Sequence, residues 1–498
     1  MRASSYIIYI DLPNTAEEML LVHGYSGAYD RVSSKVANYV RSLELRQAPK
    51  PLYGAWRSDP DIDQPVQRPS DATVETLRRR GYLTNLSFEE EEEVLKTVAH
   101  KLHRQNSRKP AYLFMPTYDC NLRCSYCFQH HMRTDPKYRH LLKMMTRETV
   151  DRIFLGMASI ETLHGLGPKD VLRRDIGFFG GEPLLAETRP IIDYIMEKTL
   201  AGGEGSFWAV TNATELQAYE DLLSPQRLGR IQVTLDGPPA AHDRRRIYAD
   251  GSGSFEKIAR NINLALDRGV EVSVRLNIDR RNLMELPELA EIVHRQGWTR
   301  YRNFGIYTAA VQVTNENMRR EEEMDSWTLD NAVAELQKEH PLMSIVAQPD
   351  DSLRRQARSL FQDAEHTPIR MKESFCSAHT GMYIFDSFAD MYACWERTGE
   401  SSIRIGHVNE DGSVAMNSPM MQIWRSRTVA SNPVCSKCRY ALNCGGGCAV
   451  AAQGRTGEMH TNFCDGYSLR FRAKVAQAYL EHLAGQEMPV GLNRVCDQ

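Results

Sequence analysis

The placement of cysteines constrains this chain of 498 residues more than any other feature. Eleven cysteines are present, three of them between residues 120 and 127 and eight from residue 376 onward. The N-terminal sequence has no apolar core and no small-residue cleavage site of a signal peptide, so we expect a cytoplasmic protein. A reducing cytoplasm disfavours disulfides and leaves thiolates free to bind metal. The clustering therefore indicates metal ligation.

Charge and composition limit the partners of the chain. The formal net charge is −3, and hydrophobic residues make up 42% of the sequence. Neither value favours binding to nucleic acid or to an anionic membrane. No apolar run has the length of a membrane span, so we expect no membrane partner. The length predicts two to four domains.

Strand and helix patterns divide the chain into segments. Residues 1–105 predict a small α+β unit, in which Ser87 and Glu90 form a capping box for the last helix. Residues 106–318 contain six strand-and-helix repeats, which predict parallel strands with helical crossovers. Six repeats indicate an α/β fold of the partial (β/α)6 TIM-like type, with active groups just past the carboxyl ends of the strands.

The rest of the chain predicts three smaller segments. Residues 319–373 are charged and helical in pattern and predict a helical bridge. Residues 374–470 are rich in cysteine and turn residues and poor in core residues, so this segment needs metal to fold. Residues 471–498 predict a closing helix and a tail.

Cys120, Cys124 and Cys127 form a C-x3-C-x2-C motif directly after the first barrel strand. Three thiolates at this spacing can hold one face of an iron–sulfur cubane and leave one iron open. An open iron is what chemistry on a bound small molecule requires. The alternative is a zinc site that His130 or His131 completes.

This motif resembles that of the radical S-adenosylmethionine (SAM) superfamily, in which an aromatic residue, here Tyr126, precedes the last cysteine. The resemblance implies that the amino and carboxylate groups of SAM bind the open iron of a [4Fe-4S] cluster. It also implies that SAM is cleaved to methionine and a 5′-deoxyadenosyl radical, which abstracts a hydrogen atom from the substrate.

Further elements of the superfamily follow the next strands in the expected order. Residues 180–183 read GGEP, residues 211–214 are similar to the TNGT element, and residues 236–238 are similar to a D-G-P element. Residues 275–277 match the R-x-N element, whose Arg and Asn lie on one face of a strand. The residues that the resemblance implies for SAM binding are Tyr126, Gly180, Gly181, Glu182, Pro183, Thr211, Asn212, Arg275 and Asn277.

The C-terminal cysteines allow a zinc ribbon when they are read alone, but seven cysteines without regularly spaced histidines argue against zinc. The set resembles the SPASM domain, an extension of radical SAM enzymes that holds auxiliary [4Fe-4S] clusters. The resemblance implies two auxiliary clusters, and three clusters in total. The first would use Cys435, Cys438, Cys444 and Cys464, and the second would use Cys376, Cys394 and Cys448. For the second, the fourth position is empty, filled by Cys496 or taken by a substrate thiolate; we expect Cys496 to be a free surface cysteine.

SPASM enzymes mostly modify peptides or proteins. The N-terminal unit resembles the winged-helix leader-recognition domain of peptide maturases, which adds the leader as an edge strand; the alternative is a structural extension. We therefore expect a maturase of ribosomally made, post-translationally modified (RiPP) peptides that closes a thioether or carbon–carbon cross-link, with an auxiliary cluster accepting the electron. Expected partners are the precursor peptide and a flavodoxin or ferredoxin-type electron donor.

Two other functions stay open. Sulfatase maturases, which oxidise a protein Cys or Ser to formylglycine, carry an aspartate directly after the second SPASM cysteine. Here Trp395 and then Glu396 follow Cys394, and this departure argues against sulfatase maturation. Glu396 and Asp236 are the candidates that are left for a catalytic base. The other alternative is a non-catalytic iron–sulfur electron carrier or peptide-binding scaffold, against which the open-iron motif and the SAM elements argue.

Overall fold

The computed structural model describes residues 1–44, 66–167, 173–311, 323–347, 353–354, 357–358, 361 and 371–484. Cys496 lies outside these residues. Two compact units are present. The first unit comprises residues 1–105, 350–376 and 426–489, and the second comprises residues 106–349, 377–425 and 490–498, each as far as it is described. No helix of the described residues is long and apolar enough to cross a bilayer.

The N-terminal part of the first unit is a small α+β arrangement, as the sequence predicts. Its strands are β1 Arg2–Ala3, β2 Ile7–Asp11, β3 Glu18–His23, β4 Tyr29–Ser33 and β5 Leu83–Thr84, and its helices are α1 Ser34–Ser42, α2 Asp71–Arg79 and α3 Phe88–Asn106. Strands β2, β3 and β4 form an antiparallel sheet in that order, and β1 pairs with β5. The predicted capping box is confirmed, because Ser87 N donates to the Glu90 carboxylate (2.7 Å) and Glu90 N donates to Ser87 Oγ (3.2 Å).

The predicted partial barrel is confirmed in the second unit. Its six parallel strands are β6 Ala111–Phe114, β7 Arg173–Phe178, β8 Glu204–Thr211, β9 Leu228–Leu235, β10 Glu271–Ile278 and β11 Phe304–Ala310. The helices of this part are α4 His130–Thr134, α5 Arg147–Leu163, α6 Arg189–Ala201, α7 Pro239–Arg245, α8 Phe255–Asp267 and α9 Leu286–Arg295. The strands lie side by side in chain order, so their carboxyl ends meet at one edge of the sheet.

Four more strands continue this sheet beyond β6, which the sequence did not predict. After α10 Ser326–Glu339 come β12 Met382–Phe385, β13 Asp390–Tyr392, β14 Gly406–Val408 and β15 Val414–Met416, and α11 Ser418–Arg425 follows them. Strand β12 runs parallel to β6, with Ile384 opposite Leu113. The buried run of β12 supplies the hydrogen-bonding partner that the edge of β6 requires. Residues 377–425 therefore belong to the same compact unit as the barrel. The sequence had predicted them as part of the cysteine-rich segment 374–470.

The C-terminal part of the first unit holds α12 Ala441–Cys444, α13 Ala449–Thr456 and α14 Tyr467–Leu483. Helix α14 packs on the N-terminal sheet. The shared core consists of apolar side chains from both ends of the chain, among them Ile8, Ile10, Leu20, Val22, Phe471, Val475 and Tyr479. The predicted segments 1–105 and 471–498 thus meet in one core as far as they are described.

Candidate active site

The chain segments that follow β6 and β7 lie against each other at the carboxyl edge of the barrel sheet. Gly181 N donates to the carbonyl of Thr117 (3.1 Å), and Glu182 N donates to the carbonyl of Asp119 (2.7 Å). A side-chain carbon at Gly181 would collide with the carbonyl of Asp119. Glycine at this position therefore allows the GGEP turn to lie against the segment that leads into Cys120.

The Glu182 carboxylate joins the ends of the second and third barrel strands. It is buried, and it accepts hydrogen bonds from Thr211 Oγ1 (2.6 Å), Asn212 N (2.6 Å) and Leu184 N (2.9 Å). Burial raises the pKa of Glu182 to about 7, and these donors oppose the rise. A carboxylate has about four acceptor positions, so about one is left for a further donor such as an ammonium group.

Asn212 connects this network to the cysteine loop. Its Nδ2 donates to Asn121 Oδ1 (2.9 Å) and lies 3.7 Å from Cys120 Sγ. The next residue, Ala213, has a φ of 61°, which is the left-handed region, and Asn261 Nδ2 donates to its carbonyl (2.6 Å). The TNGT element of the superfamily has glycine at this position, so the chain keeps the bend there without the glycine.

The three thiols of the first motif lie beside the guanidinium of Arg133. Arg133 Nη2 is 3.2 Å from Cys127 Sγ. Although burial lowers the pKa of Arg133, the charges of Cys127, Cys120 and Cys124 raise it above its usual value. Burial raises the pKa of Cys120 to about 12 and that of Cys124 to about 11. Metal must displace protons from such thiols, and an adjacent cation favours that displacement.

The donor set fits a cluster better than a single ion. Among the described residues, no three Cys, His, Asp or Glu side chains are placed to hold one metal ion. A tetrahedral zinc ion needs all of its ligands within about 2.3 Å of one point, so the zinc alternative with His130 or His131 has no geometric support. Three thiols in one loop beside a cation fit one face of an iron–sulfur cluster. Cys120, Cys124 and Cys127 would hold that cluster.

Tyr126 ties the cysteine loop to the fourth and fifth strand ends. Its hydroxyl donates to the carboxylate of Asp236 and accepts from Arg246 Nη1 (2.6 Å) and Asn277 Nδ2 (3.2 Å). Asp236 is fully buried and also accepts from Asn277 N (3.3 Å). Burial raises the pKa of Tyr126 well above its ordinary value. Both carboxylate oxygens of Asp236 are engaged in this network, and its role as a base stays a prediction.

Arg275 and Asn277 share one face of β10, because Arg275 Nε donates to Asn277 Oδ1 (2.9 Å). Asn277 in turn contacts Tyr126, so the R-x-N element reaches the cysteine loop. A cleft of about 590 Å³ borders this loop on another side, with Asp119, Cys120, Arg123 and Tyr248 among its lining residues. That volume lies within the usual range for a small-molecule site.

Residues 114–293 match the family described as the Radical SAM superfamily. The chain contains a radical SAM domain. Over 344 residues it is 25% identical to the mycofactocin maturase MftC of Mycobacterium tuberculosis, which covers 67% of this chain and 77% of that protein. Over 183 residues it is 22% identical to the cysteine-type anaerobic sulfatase-maturating enzyme of Clostridium novyi, which covers 36% of this chain and 46% of the relative.

The fold resembles that of a solved structure. Native anSMEcpe with bound AdoMet superposes with a TM-score of 0.56 at 15% sequence identity, over 76% of this chain and 99% of that chain. This likeness concerns the fold alone. The chain spans about half the length of three of the curated relatives that it matches.

Three aromatic rings stack on one another in the second unit, and two of them are neighbours in the chain of radical SAM motif residues. The ring of Trp395 stacks on Phe179 with centroids 5.4 Å apart, and Phe179 stacks on Phe128 at 6.4 Å. Phe128 follows Cys127 in the chain, and Phe179 precedes Gly180. An apolar stack therefore occupies the position after Cys394, where sulfatase maturases carry an aspartate. Glu396 is half-buried nearby in the chain, and its role as a base stays a prediction.

Four thiols of the C-terminal set lie together in the first unit. Burial raises the pKa of Cys438 to about 11 and that of Cys444 to about 12, and it also raises the pKa of Cys435 and Cys464. Mutual repulsion among the four thiols adds to the rise, and every pair of them contributes. Four thiols that affect one another in this way are a suitable donor set for a closed [4Fe-4S] cluster.

The other predicted set stays a prediction. Cys376 and Cys448 belong to the first unit, and Cys394 belongs to the second.

Sequence patterns did not single out three arginines of the radical SAM domain. They are Arg133, Arg245 and Arg246. Arg245 lies over the ring of Tyr126, with its guanidinium carbon 5.1 Å from the ring centroid, and it donates to Asp279 (2.8 Å). For Arg245 and Arg246 the available signal was the run of three arginines that begins directly after Asp243, close to the D-G-P element. Arg133 had no such signal.

Proposed function

We propose that this chain is a radical SAM maturase of a ribosomally made precursor peptide. The observation that carries the proposal is the hydrogen-bonded path from Glu182 through Asn212 to Cys120, which connects two strand-end elements to the cysteine loop. This path supports SAM binding at the carboxyl edge of the barrel, where barrel enzymes carry their active groups.

A cluster on Cys120, Cys124 and Cys127 would supply the electron that cleaves SAM to methionine and a 5′-deoxyadenosyl radical, which takes a hydrogen atom from the peptide. The side chains of the chain itself position the reactants. The remaining acceptor position of Glu182 suits the amino group of SAM. Tyr126, Asp236 and Asn277 hold the cysteine loop in register with the ends of β9 and β10.

The finer proposal is that the reaction closes a thioether or carbon–carbon cross-link within the peptide. One hydrogen leaves as an atom, the second leaves as a proton, and one electron passes to an auxiliary cluster. Cys435, Cys438, Cys444 and Cys464 are the thiols that support such a cluster within one unit.

The first experiment measures 5′-deoxyadenosine after anaerobic iron–sulfur reconstitution with SAM and dithionite. We expect the wild-type chain to form it. The triple variant Cys120→Ala, Cys124→Ala, Cys127→Ala should form none while it keeps the iron bound by the C-terminal cysteines. A wild-type chain with full iron that releases no 5′-deoxyadenosine would contradict the enzyme proposal and favour an electron carrier or scaffold.

The N-terminal sheet offers one edge for a leader peptide. Two hydrogen bonds fix the register of β4 against β3: His23 N donates to Ala28 O (2.7 Å), and Ser34 N donates to Glu17 O (2.6 Å). In this register the backbone groups of residues 28, 30, 32 and 34 face β3. In an antiparallel pair the alternate residues turn their N–H and C=O groups away from the partner. The backbone of Arg31 therefore faces outward, which suits addition of a peptide strand.

Two variants at this position test leader binding. Arg31→Pro removes the outward N–H, whereas Arg31→Ala keeps it and removes only the side chain, which contacts Tyr479 and Glu18. We expect fluorescence anisotropy with the labelled leader to show weaker binding for the Pro variant and near-normal binding for the Ala variant. Equal binding by both variants would rule out this edge and favour a structural N-terminal extension.

Formylglycine formation is the second candidate, and the sulfatase-maturating relative favours it. Mass spectrometry of the substrate separates the two reactions. Loss of two hydrogens in a product that does not react with an aldehyde reagent indicates a cross-link. A product that carries an aldehyde indicates formylglycine and would overturn the cross-link proposal; made from cysteine it has lost two hydrogens and exchanged sulfur for oxygen, and made from serine it has lost two hydrogens only.

A further inference from the structure

Arg427 is a buried arginine of the first unit, with 3% of its surface exposed. Its guanidinium donates hydrogen bonds to four backbone carbonyls. Nε donates to Met459 (2.7 Å), Nη1 to Gly447 (3.0 Å), and Nη2 to Thr461 (2.9 Å) and Gly446 (3.3 Å). Such a planar fork can bridge several acceptors at once, which a lysine cannot do.

These carbonyls belong to two loops that carry cysteines. Gly446 and Gly447 lie between Cys444 and Cys448, and Met459 and Thr461 lead into Cys464. The loops also contact each other directly, because Phe463 N donates to the carbonyl of Gly446 (3.1 Å). Arg427 therefore holds together the two loops that must converge for Cys444 and Cys464 to share a cluster.

The charge of Arg427 lies among thiols. Burial lowers the pKa of Arg427, and the charges of Cys435, Cys448, Cys376 and Cys444 oppose that shift. Carbonyl oxygens satisfy the donors of a guanidinium, but they do not neutralise its charge. A buried charge is costly unless an opposite charge balances it, and cysteines bind metal as thiolates. The balancing charge is therefore present when iron is bound.

We propose that Arg427 is the clamp and the fixed counter-charge of the auxiliary cluster held by Cys435, Cys438, Cys444 and Cys464. The inference rests on the proposed function in that it requires iron at these four cysteines. A cluster with four thiolates is negative, and its reduction adds another negative charge. A fixed cation beside it stabilises the reduced form and raises the reduction potential. Arg427 thus makes the cluster a better electron acceptor.

The test uses the full chain with Cys120, Cys124 and Cys127 replaced by Ala, so that only auxiliary iron remains. In this parent, Arg427→Lys keeps the charge and loses the fork, and Arg427→Gln loses both. Arg80→Gln is the matched control, because Arg80 also bridges chain segments of the first unit, through Asp30 (2.6 Å) and the carbonyl of Tyr29 (2.8 Å). Each protein is reconstituted, its iron is counted, and its midpoint potential is measured by an EPR-monitored redox titration.

We expect the control to keep the iron content and the midpoint potential of the parent. The Lys variant should bind less iron, because it loses the fork, but should hold that iron at the parental potential. The Gln variant should bind less iron and hold it at a more negative midpoint potential. A Gln variant with parental iron and parental potential would overturn the inference. A Lys variant whose midpoint potential is as negative as that of the Gln variant would overturn the role of the charge, and a Lys variant with parental iron content would overturn the role of the fork.

The parent protein separates this inference from the proposed function. A parent that binds no iron would contradict the proposed auxiliary cluster, and with it the role of Arg427. If the parent binds iron but Arg427→Gln changes neither its iron content nor its midpoint potential, only the role of Arg427 is contradicted.

Discussion

The two cysteine sites are built from different parts of the chain. Around Cys120, Cys124 and Cys127, polar side chains from strand ends form the surroundings, and Glu182 and Asn212 are the clearest examples. Around Cys435, Cys438, Cys444 and Cys464, the surroundings are mainly backbone, with a glycine run and the carbonyls that Arg427 binds. The first site has three thiols, of which Cys120 lines a cleft, and the second has four thiols that repel one another pairwise.

The difference matches the proposal that the first site is open and the second is closed. Side chains with spare hydrogen-bonding capacity can take up a bound small molecule and release it again. A backbone cradle has little freedom, because each carbonyl is fixed by its neighbours in the chain. We therefore expect the open site to respond to changes of side-chain chemistry and the closed site to changes of backbone conformation.

The largest effect should come from Gly447→Ala at the closed site. Gly447 has a φ of 76°, and a side-chain carbon there would collide with the carbonyl of Phe463. Left-handed strain and overpacking together should cost about 3 kcal/mol or more. We expect loss of the auxiliary iron, as measured by iron content in the parent that lacks Cys120, Cys124 and Cys127.

Gly457→Ala is the matched control for this change. Gly457 has a φ of 80°, but nothing lies within 4 Å of the added carbon. It should cost only about 1 kcal/mol of conformational strain and keep the iron. Equal iron loss in both variants would show that the closed site does not depend on this backbone contact.

The next largest effect should come from Glu182→Gln at the open site. The amide group turns one acceptor oxygen into a donor and leaves one of the three donors unpaired, which costs about 2 kcal/mol. We expect 5′-deoxyadenosine formation to fall by at least about tenfold, as 1.4 kcal/mol corresponds to tenfold in rate. Auxiliary iron should not change.

Glu161→Gln separates a local effect from general destabilisation of the barrel. Glu161 is also buried in the second unit, where it accepts two hydrogen bonds from Arg174 (2.8 and 3.0 Å). Its variant should lose stability and keep the rate of 5′-deoxyadenosine formation per folded chain. A similar loss of rate in both variants would contradict a specific role for Glu182.

Acid should weaken the unit that contains the closed site. Burial lowers the pKa of His23 from 6.5 to about 4, against the opposing charge of Glu91. The pKa of His23 is lower in the folded chain than in the unfolded chain. The contribution of neutral His23 to the free energy of unfolding is therefore present above pH 6.5 and is lost as the pH falls toward 4. Between pH 7 and pH 5 the loss is about 2 kcal/mol.

Hydrogen exchange of the β3 amides measures this loss. His23→Gln should remove most of the difference between pH 7 and pH 5 after correction for the intrinsic exchange rates. His100→Gln changes an exposed histidine of the same unit and should leave the difference as it is. A wild-type chain whose β3 protection does not depend on pH would contradict the assignment to His23.

The smallest effect should come from Ala213→Gly at the open site. Ala213 has a φ of 61°, and a non-glycine residue in this region is strained by about 1 kcal/mol. Glycine relieves the strain but gains freedom in the unfolded chain, so we expect a stabilisation of at most about 1 kcal/mol. Thermal unfolding of the second unit measures it, and a clear destabilisation would show that the Ala213 side chain contributes packing.

Local patterns in the sequence predicted most of the barrel and its motifs. The helix that begins after Ser87 follows from a capping box, and β10 follows from an apolar run that carries Arg275 and Asn277. These features depend on neighbours within a few residues, which a single sequence displays.

Contacts between distant residues were not predictable in the same way. The pairing of β12 with β6 joins residues far apart in the chain, and a four-residue strand has no distinctive pattern. Arg133 and Arg427 act on cysteine loops that only the folded structure brings to them, and neither belongs to a recognisable sequence motif. Ala213 was visible as a departure from the TNGT element, but only the backbone shows that the left-handed bend is retained.

The shared core of the two ends of the chain sets an order of events during synthesis. Strands β2 and β3 are synthesised long before α14, which covers them. Until then their apolar face is exposed, and an exposed apolar face of this kind binds chaperones or aggregates. Tyr6 also bonds the carbonyl of Ser436 beside Cys435 (2.6 Å). We therefore expect iron delivery to the proposed closed site to follow the packing of α14 on the N-terminal sheet. A chain shortened before α14 should aggregate.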